Sequence, residues 1–273
     1  MKNSARIHCF DDLDGLELLI ADFSDHEFER HWHDTWSVGV VLRGANNNSA
    51  QQKMEGIVQR GEVSIIAPGE IHAGTVVGEQ GCRYFMFYPK VESVFNTAES
   101  MEIHLPPNIV AGLKQTVFAK KLCEAATVLT NTDTDKFERE VVWSDCMAEF
   151  LHVFSSIGVQ NFASQKSSAS SHLIRAKEYL HDYQFEGISL DRLAQAAGMS
   201  KFHLCRQFTA KFGLSPSRYQ RQLKLQHVKR MLSTGHEIAE IAVSCGFSDQ
   251  SHLGRAFKST YGTTPRNYRN FSR

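Results

Sequence analysis

The sequence predicts an α+β chain of two domains. A β-rich first part closes into a sandwich or barrel with trailing helices, and an all-α second part holds two helix-turn-helix units joined by a long helix. Three observations carry this expectation. Short runs of β-branched and aromatic residues crowd the first ninety positions, one helical motif occurs twice in the last hundred, and a polar, Ser-rich stretch separates the two textures.

The strand-like runs are residues 34–42 (DTWSVGVVL), 62–67 (EVSIIA) and 82–88 (CRYFMFY). The breaker-rich segments GANNN, PGE and GEQG read as the turns between them. Residues 108–130 and 135–157 read as helices. The second spaces Val141, Val142, Asp145, Ala148, Leu151 and Phe154 along one side, a stripe that suits packing on its own barrel or on a second copy. Residues 161–172 (NFASQKSSASSH) lack apolar periodicity and read as a linker. The expected boundaries are therefore 1–160, with 161–172 as linker and 173–273 as the helical domain.

A chain of 273 residues can bury two cores, and 42% hydrophobic with 22% charged residues excludes a disordered polymer. The start, MKNSARIHCFDDLDG, has no apolar run of a secretory signal, and no stretch approaches the ~20 apolar residues of a membrane span. The expectation is a cytoplasmic protein with no membrane partner. Cysteines at 9, 82, 123, 146, 205 and 245 form no C-x-x-C pair and read as reduced core thiols. The net charge of zero hides a division: residues 170–273 hold 16 Lys+Arg against 7 Asp+Glu, and residues 1–169 hold 14 against 23. A basic half points to a polyanion partner for that half.

The repeat is the most informative feature. Leu190-Asp-Arg-Leu193-Ala194 with Gly198-Met-Ser200 answers to Ile238-Ala-Glu-Ile241-Ala242 with Gly246-Phe-Ser248, 48 residues on. His203-Leu204-x-Arg206-x-Phe208, Phe212-Gly213, Pro216 and Tyr219 then answer to His252-Leu253-x-Arg255-x-Phe257, Tyr261-Gly262, Pro265 and Tyr268, 49 residues on. One residue is inserted at the start of the second helix. Gly198 and Gly246 end the first helix of each unit, and Ser200 and Ser248 are the expected N-caps of the next. Leu204 with Phe208, and Leu253 with Phe257, anchor that helix by one face. The opposite face carries Lys201, Phe202, Cys205, Arg206 and Gln207 in the first unit (about 190–211). In the second (about 238–261) it carries Gln250, Ser251, Gly254, Arg255 and Lys258. Arg pairs with guanine and Gln with adenine in a major groove, while Lys258 is placed for phosphate. Between the units, residues 216–233 form a helix of about 27 Å with Tyr219, Leu225, Val228 and Leu232 on its buried stripe. Such a rod suits two reading helices about one DNA turn, ~34 Å, apart.

Ala242-x-x-Cys-Gly-Phe-Ser-Asp-Gln-Ser-His-Leu-x-Arg-Ala-Phe-Lys through Gly262-x-Thr-Pro-x-x-Tyr268-Arg269 closely resembles the signature of the AraC/XylS family of bacterial transcription regulators, and Gly198-Met-Ser-Lys-x-His-Leu-x-Arg-x-Phe matches its first unit. The resemblance covers roughly residues 172–271. It implies an activator that binds double-stranded DNA beside RNA polymerase, and by motif position it points to Phe202, Cys205, Arg206, Gln250, Ser251, Gly254 and Arg255. Relatives often carry a polar residue where Cys205 and Gly254 stand. His31-Trp-His33, Val40-Val-Leu-Arg43-Gly44 and Gly61-Glu-Val through Pro68-Gly69-Glu70-Ile71-His72 resemble the family's effector domain, a cupin-like β-barrel, here also the candidate homodimerisation domain. The resemblance puts a small-molecule ligand inside the barrel against Arg43, Tyr84 and Met86, with residues 1–25 as an arm over its mouth.

The expected effector pocket comprises His31, His33, Trp36, Arg43, His72, Tyr84 and Met86. Arg43 favours a carboxylate or polyol. The alternative that Trp36, Tyr84 and Met86 merely fill the barrel stays open. His31, His33 and His72 can also converge on Zn²⁺ or Fe²⁺. Metal-dependent cupin enzymes add a Glu shortly after the first pair, however, and Ser37 and Val38 occupy that region here. No metal, cofactor or catalytic residue is therefore expected, and the chain is read as a non-enzyme. Two further readings stand beside it: a metal-dependent cupin enzyme or metal sensor fused to a DNA-binding domain, and a regulator controlled by a partner protein.

Overall fold

A computed structural model describes residues 3–50, 55–103, 110–158 and 170–271. They form two compact units, one of the described residues up to 158 and one of residues 170–269. The linker read at 161–172 lies outside the described residues as far as 169, and Ser171 already begins a helix.

The first unit is one antiparallel sheet backed by helices. Its strands are β1 (Ser4–Phe10), β2 (Leu16–Phe23), β3 (Ser37–Ala50), β4 (Glu55–Gln59), β5 (Val63–Ile66), β6 (His72–Tyr88) and β7 (Val110–Leu113), in the order β1-β2-β6-β3-β5-β7 with β4 on β3. The helices are α1 (Val91–Ser100), α2 (Thr116–Thr130) and α3 (Lys136–Gly158).

Three sequence expectations change here. Residues 4–23 are no arm, because β1 and β2 pair with each other and β2 pairs with β6 along Glu17–Phe23. GANNN is no turn, because β3 runs through it and pairs with β6 on one side and β4 on the other, whereas GEQG lies between Val77 and Cys82, outside the pairing. The sheet bends there instead: the register shifts between Val41 and Arg43 and again between Gly44 and Ala45. Gly44 and Gly81 both have positive φ, and a Cβ on Gly44 would overlap the Gly81 carbonyl oxygen, so only glycine fits the fold-over. Finally, helix begins at Thr116 rather than 108. Val110–Leu113 is strand, pairing Val63 with Leu113 and Ile65 with Val110, which covers an edge of β5 that would otherwise be open.

Strand alternation divides the side chains between two faces. Val38, Val40, Val63, Ile65 and Phe87 join Phe118, Leu122, Phe150, Leu151 and Phe154 of α2 and α3 in the core. Helix α3 thus packs on its own sheet, with Asp145 turned to Lys121 of α2 at 2.5 Å and Val141 left exposed. The six cysteines are free thiols; Cys82, Cys146 and Cys245 are buried, and burial pushes the Cys146 thiol up to about 12.

The second unit contains α4 (Ser171–Asp182), α5 (Leu190–Ala197), α6 (Lys201–Phe212), α7 (Pro216–Met231), α8 (Ile238–Ser244), α9 (Gln250–Tyr261) and α10 (Pro265–Phe271). The repeat becomes a repeated core. Phe208 packs on Phe212 and Tyr219 with ring centroids 4.5 and 5.5 Å away, and Phe257 packs on Tyr261 and Tyr268 at 4.7 and 5.6 Å. The duplication also reaches further back than the motif suggests. Leu173, Ala176, Lys177 and Leu180 of α4 correspond to Leu225, Val228, Lys229 and Leu232 at and after α7, all 52 residues apart. Lys177 lies over the Phe212 ring at 5.7 Å, and Lys229 lies over its counterpart Tyr261 at 6.0 Å. Each helix-turn-helix unit therefore rests on a preceding helix, and α7 serves as the end of the first and the start of the second.

Candidate DNA-reading surface and effector cavity

Both reading helices have one buried and one open side. On α6, Leu204 and Phe208 are fully buried, while Lys201, Phe202, Arg206 and Gln207 are exposed and Cys205 is half-buried. Phe202 leaves 78% of its surface in water, an apolar ring in a position suited to a thymine methyl. Lys201 is ion-paired with Asp191 at 2.8 Å, a contact phosphate would have to replace. On α9, Leu253, Ala256 and Phe257 are buried, while Gln250, Ser251, Arg255 and Lys258 are exposed and Gly254 is half-buried. Nothing lies within 4 Å of where a Gly254 side chain would begin, so the backbone there is open to close approach.

The two turns differ in their caps. Ser200 accepts from the His203 amide at 3.4 Å, as the sequence suggests. In the second unit Asp249, not Ser248, is the cap: its carboxylate accepts from the His252 amide at 2.7 Å, and the Ser248 hydroxyl donates to Asp249 at 3.1 Å. The inserted residue moves the cap by one place. The His252 amide, together with the Ser248 hydroxyl, holds the Asp249 carboxyl below its ordinary value of 3.8. Asp249→Ala is expected to lower the melting temperature more than Ser248→Ala. Because the folded pKa is depressed, the Asp249 contribution is complete above the ordinary value and is lost as pH falls through the lowered one. Thermal denaturation of both variants at neutral and acid pH measures this.

In the first unit, a cavity of about 50 Å³ lies on the face of the sheet opposite the helices. Tyr84, Met86 and Tyr88 line it from β6, Ser37, Asn46 and Asn48 from β3, and His31, His33 and His72 from its rim segments. Residue 31 is bridged to residue 72, with amide-to-carbonyl bonds of 2.9 Å in both directions. The His31 and His33 Nε2 atoms are 3.1 Å apart, His31 Nδ1 donates to the Glu29 carbonyl at 2.6 Å, and His72 Nδ1 donates to the Glu70 carbonyl at 3.0 Å. Burial drives the His31 imidazole down to about 3 and the His72 imidazole to about 4, so both are neutral near pH 7. Burial likewise raises the Tyr84 and Tyr88 phenols well above their ordinary value, so both stay protonated.

A model described as the AraC-like ligand binding domain matches residues 15–138, and one described as a helix-turn-helix domain matches residues 193–270. The chain belongs to the AraC family of transcription regulators. As an AraC-family protein it combines a ligand-binding domain with a DNA-binding domain. It is 25% identical over 261 residues to the HTH-type transcriptional activator RhaS of Pectobacterium carotovorum, covering 90% of each chain. It is 24% identical over 229 residues to the regulator YbfI of Bacillus subtilis, covering 83% of this chain and 82% of that one. An apo variant of ToxT from Vibrio cholerae shares the fold over 94% of this chain and 98% of its own, with a TM-score of 0.61 at 11% identity.

Of the effector residues expected in this AraC-family chain, His31, His33, His72, Tyr84 and Met86 meet at the cavity, and Trp36 and Arg43 stand outside its lining. Trp36 has the strand parity of Val38 and Val40. It packs on Phe150 and Phe154 at 5.7 and 5.0 Å, inside the core under the helices. Arg43 follows the bulge at Leu42, which reverses its face. It lies opposite Arg83 rather than Cys82, and its guanidinium pairs with Asp22 at 2.6 Å. Sequence reasoning missed Tyr88, although its parity with Tyr84 and Met86 marks it, and missed Asn46 and Asn48 by assigning them to a turn.

Proposed function

We propose that this AraC-family chain is an effector-controlled activator that lays α6 and α9 in successive major grooves of double-stranded DNA. The observation that carries the reading is the repeated architecture: two helices, anchored by equivalent aromatic cores, each keep an arginine exposed on the outward side. Arg206 and Arg255 would read bases, with Phe202, Cys205, Gln250, Ser251 and Gly254 beside them. Lys201 and Lys258 would hold phosphate. Promoter-bound RNA polymerase and a second copy of the chain are the proposed protein partners, and the cytoplasm the proposed site of action. No helix among the described residues is long and apolar enough to cross a membrane, which agrees with that placement.

The effector would act through the cavity of His31, His33, His72, Tyr84 and Met86. Its volume admits a few atoms of a ligand, well short of the ~300 Å³ of an ordinary small-molecule site, so a carboxylate or hydroxyl end fits and a whole sugar ring does not. The proposed role is regulatory rather than enzymatic.

Lys258→Ala tests the phosphate assignment. Binding to specific and random duplexes should weaken alike, and the slope of log K against log salt should flatten by about 0.9. Fluorescence anisotropy over a salt series measures both. A loss confined to one operator sequence would place Lys258 on a base instead.

A further inference from the structure

The helical unit and the family assignment leave one cluster unexplained: three histidines, each 9% exposed or less, facing one another at the rim of an internal cavity. Their ligand atoms all lie within 4.8 Å of one another. Two of them have the same support. His31 and His72 each spend Nδ1–H on the backbone carbonyl two residues earlier, which fixes the tautomer and leaves a lone pair on Nε2. That carbonyl-bound geometry is how a protein orients a metal-ligating imidazole. The His31–His33 separation of 3.1 Å is close to the ~3.3 Å between two nitrogens bound about 2.05 Å from a tetrahedral ion.

We propose that His31, His33 and His72 form a binding site for one divalent transition-metal ion, held through Nε2, with its open coordination position directed into the cavity. The donor set selects the ion class. Three neutral imidazoles suit Zn²⁺, Fe²⁺, Co²⁺ or Ni²⁺, whereas Ca²⁺ and Mg²⁺ require oxygen ligands. No carboxylate among the described residues lines the cavity, so the bound ion keeps its full double charge and draws an anion or a polarised water to the open position. The volume agrees: about 50 Å³ holds one or two water-sized ligands at roughly 30 Å³ each. Ser37 points the same way, since its buried hydroxyl lines the cavity and has no hydrogen-bond partner among the described residues.

The site deepens the reading of the cavity as the effector site but does not depend on DNA binding. The test is metal titration of the full chain after chelation, with Co²⁺ followed by visible absorption and Zn²⁺ by calorimetry. One equivalent should bind, with a Co²⁺ spectrum of four- or five-coordinate type. His31→Ala, His33→Ala and His72→Ala should each weaken binding by more than the ~100-fold lost when an outer-sphere partner is removed. His152→Ala and His236→Ala, at exposed positions, should leave it unchanged. Should an alanine variant fail to fold, the wild type still decides: in ¹⁵N spectra of the imidazoles, Zn²⁺ should move the ring-nitrogen resonances of three histidines and of no others. The absence of a Co²⁺ band in the wild type, Zn²⁺ shifts at other histidines, or one equivalent retained in all three folded variants would overturn the proposal. None of these outcomes would alter DNA affinity measured without metal, so failure of this site is distinguishable from failure of the regulator reading.

Discussion

Gly246→Ala is expected to destabilise the second helix-turn-helix unit by about 2–5 kcal/mol and to remove its share of DNA binding. Gly246 has φ +72°, a conformation that costs a side-chain-bearing residue about 1–2 kcal/mol. A Cβ there would also overlap the Phe185 carbonyl oxygen, which is backbone and yields only if the α4–α5 connection moves; such overpacking costs roughly 1–3 kcal/mol. It would crowd Lys224 as well, whose ammonium donates to the Gly246 carbonyl at 3.0 Å and ties the turn to α7. Gly198 is the internal control. Its φ is +65°, but the nearest atoms to a new Cβ are side-chain atoms of Arg175 and His172 at 3.5 Å, so Gly198→Ala carries the conformational cost alone. Urea denaturation of both variants should find Gly246→Ala the worse. Equal losses would mean that the Phe185 contact contributes nothing.

Arg206→Ala combined with Arg255→Ala is expected to abolish sequence preference while leaving the fold intact. Each bidentate arginine–guanine contact is worth about 1–3 kcal/mol, and contacts in separate grooves add, so the double variant should lose about 2–6 kcal/mol. At 1.4 kcal/mol per tenfold, that is a rise in Kd of roughly 30- to 10⁴-fold on an operator obtained by in vitro selection. Both side chains are exposed and neither belongs to the repeated aromatic cores, so the melting temperature should stay near the wild-type value. Each single variant should relax one base position, the two positions lying about one helical turn, ~10 base pairs, apart. Unchanged footprints from both would show that other faces of α6 and α9 meet the DNA.

Much of the helical half was legible in the sequence. Its helices carry their own signals: glycines past the ends, serine or aspartate at the starts, and Leu–Phe pairs four apart that need no distant partner to be recognised. The duplication then reports that two such units exist. One error there, the cap at Ser248, arose because the inserted residue offered two adjacent capping side chains, and only backbone geometry chooses Asp249.

The sheet half was legible in kind but not in placement. Alternation in residues 36–42 and 84–88 shows which side chains share a face, yet not which face turns to the helices. That choice sends Trp36 into the core and Tyr84, Met86 and Tyr88 to the cavity. One bulge at Leu42 reverses Arg43, a change no period-two pattern can reveal. Local periodicity and capping chemistry thus determine the two reading units from the sequence alone. Only the tertiary pairing of β3 with β6, and the bridge between residues 31 and 72, brings together three histidines up to forty-one positions apart, because contacts across a sheet depend on register rather than on neighbours in the chain.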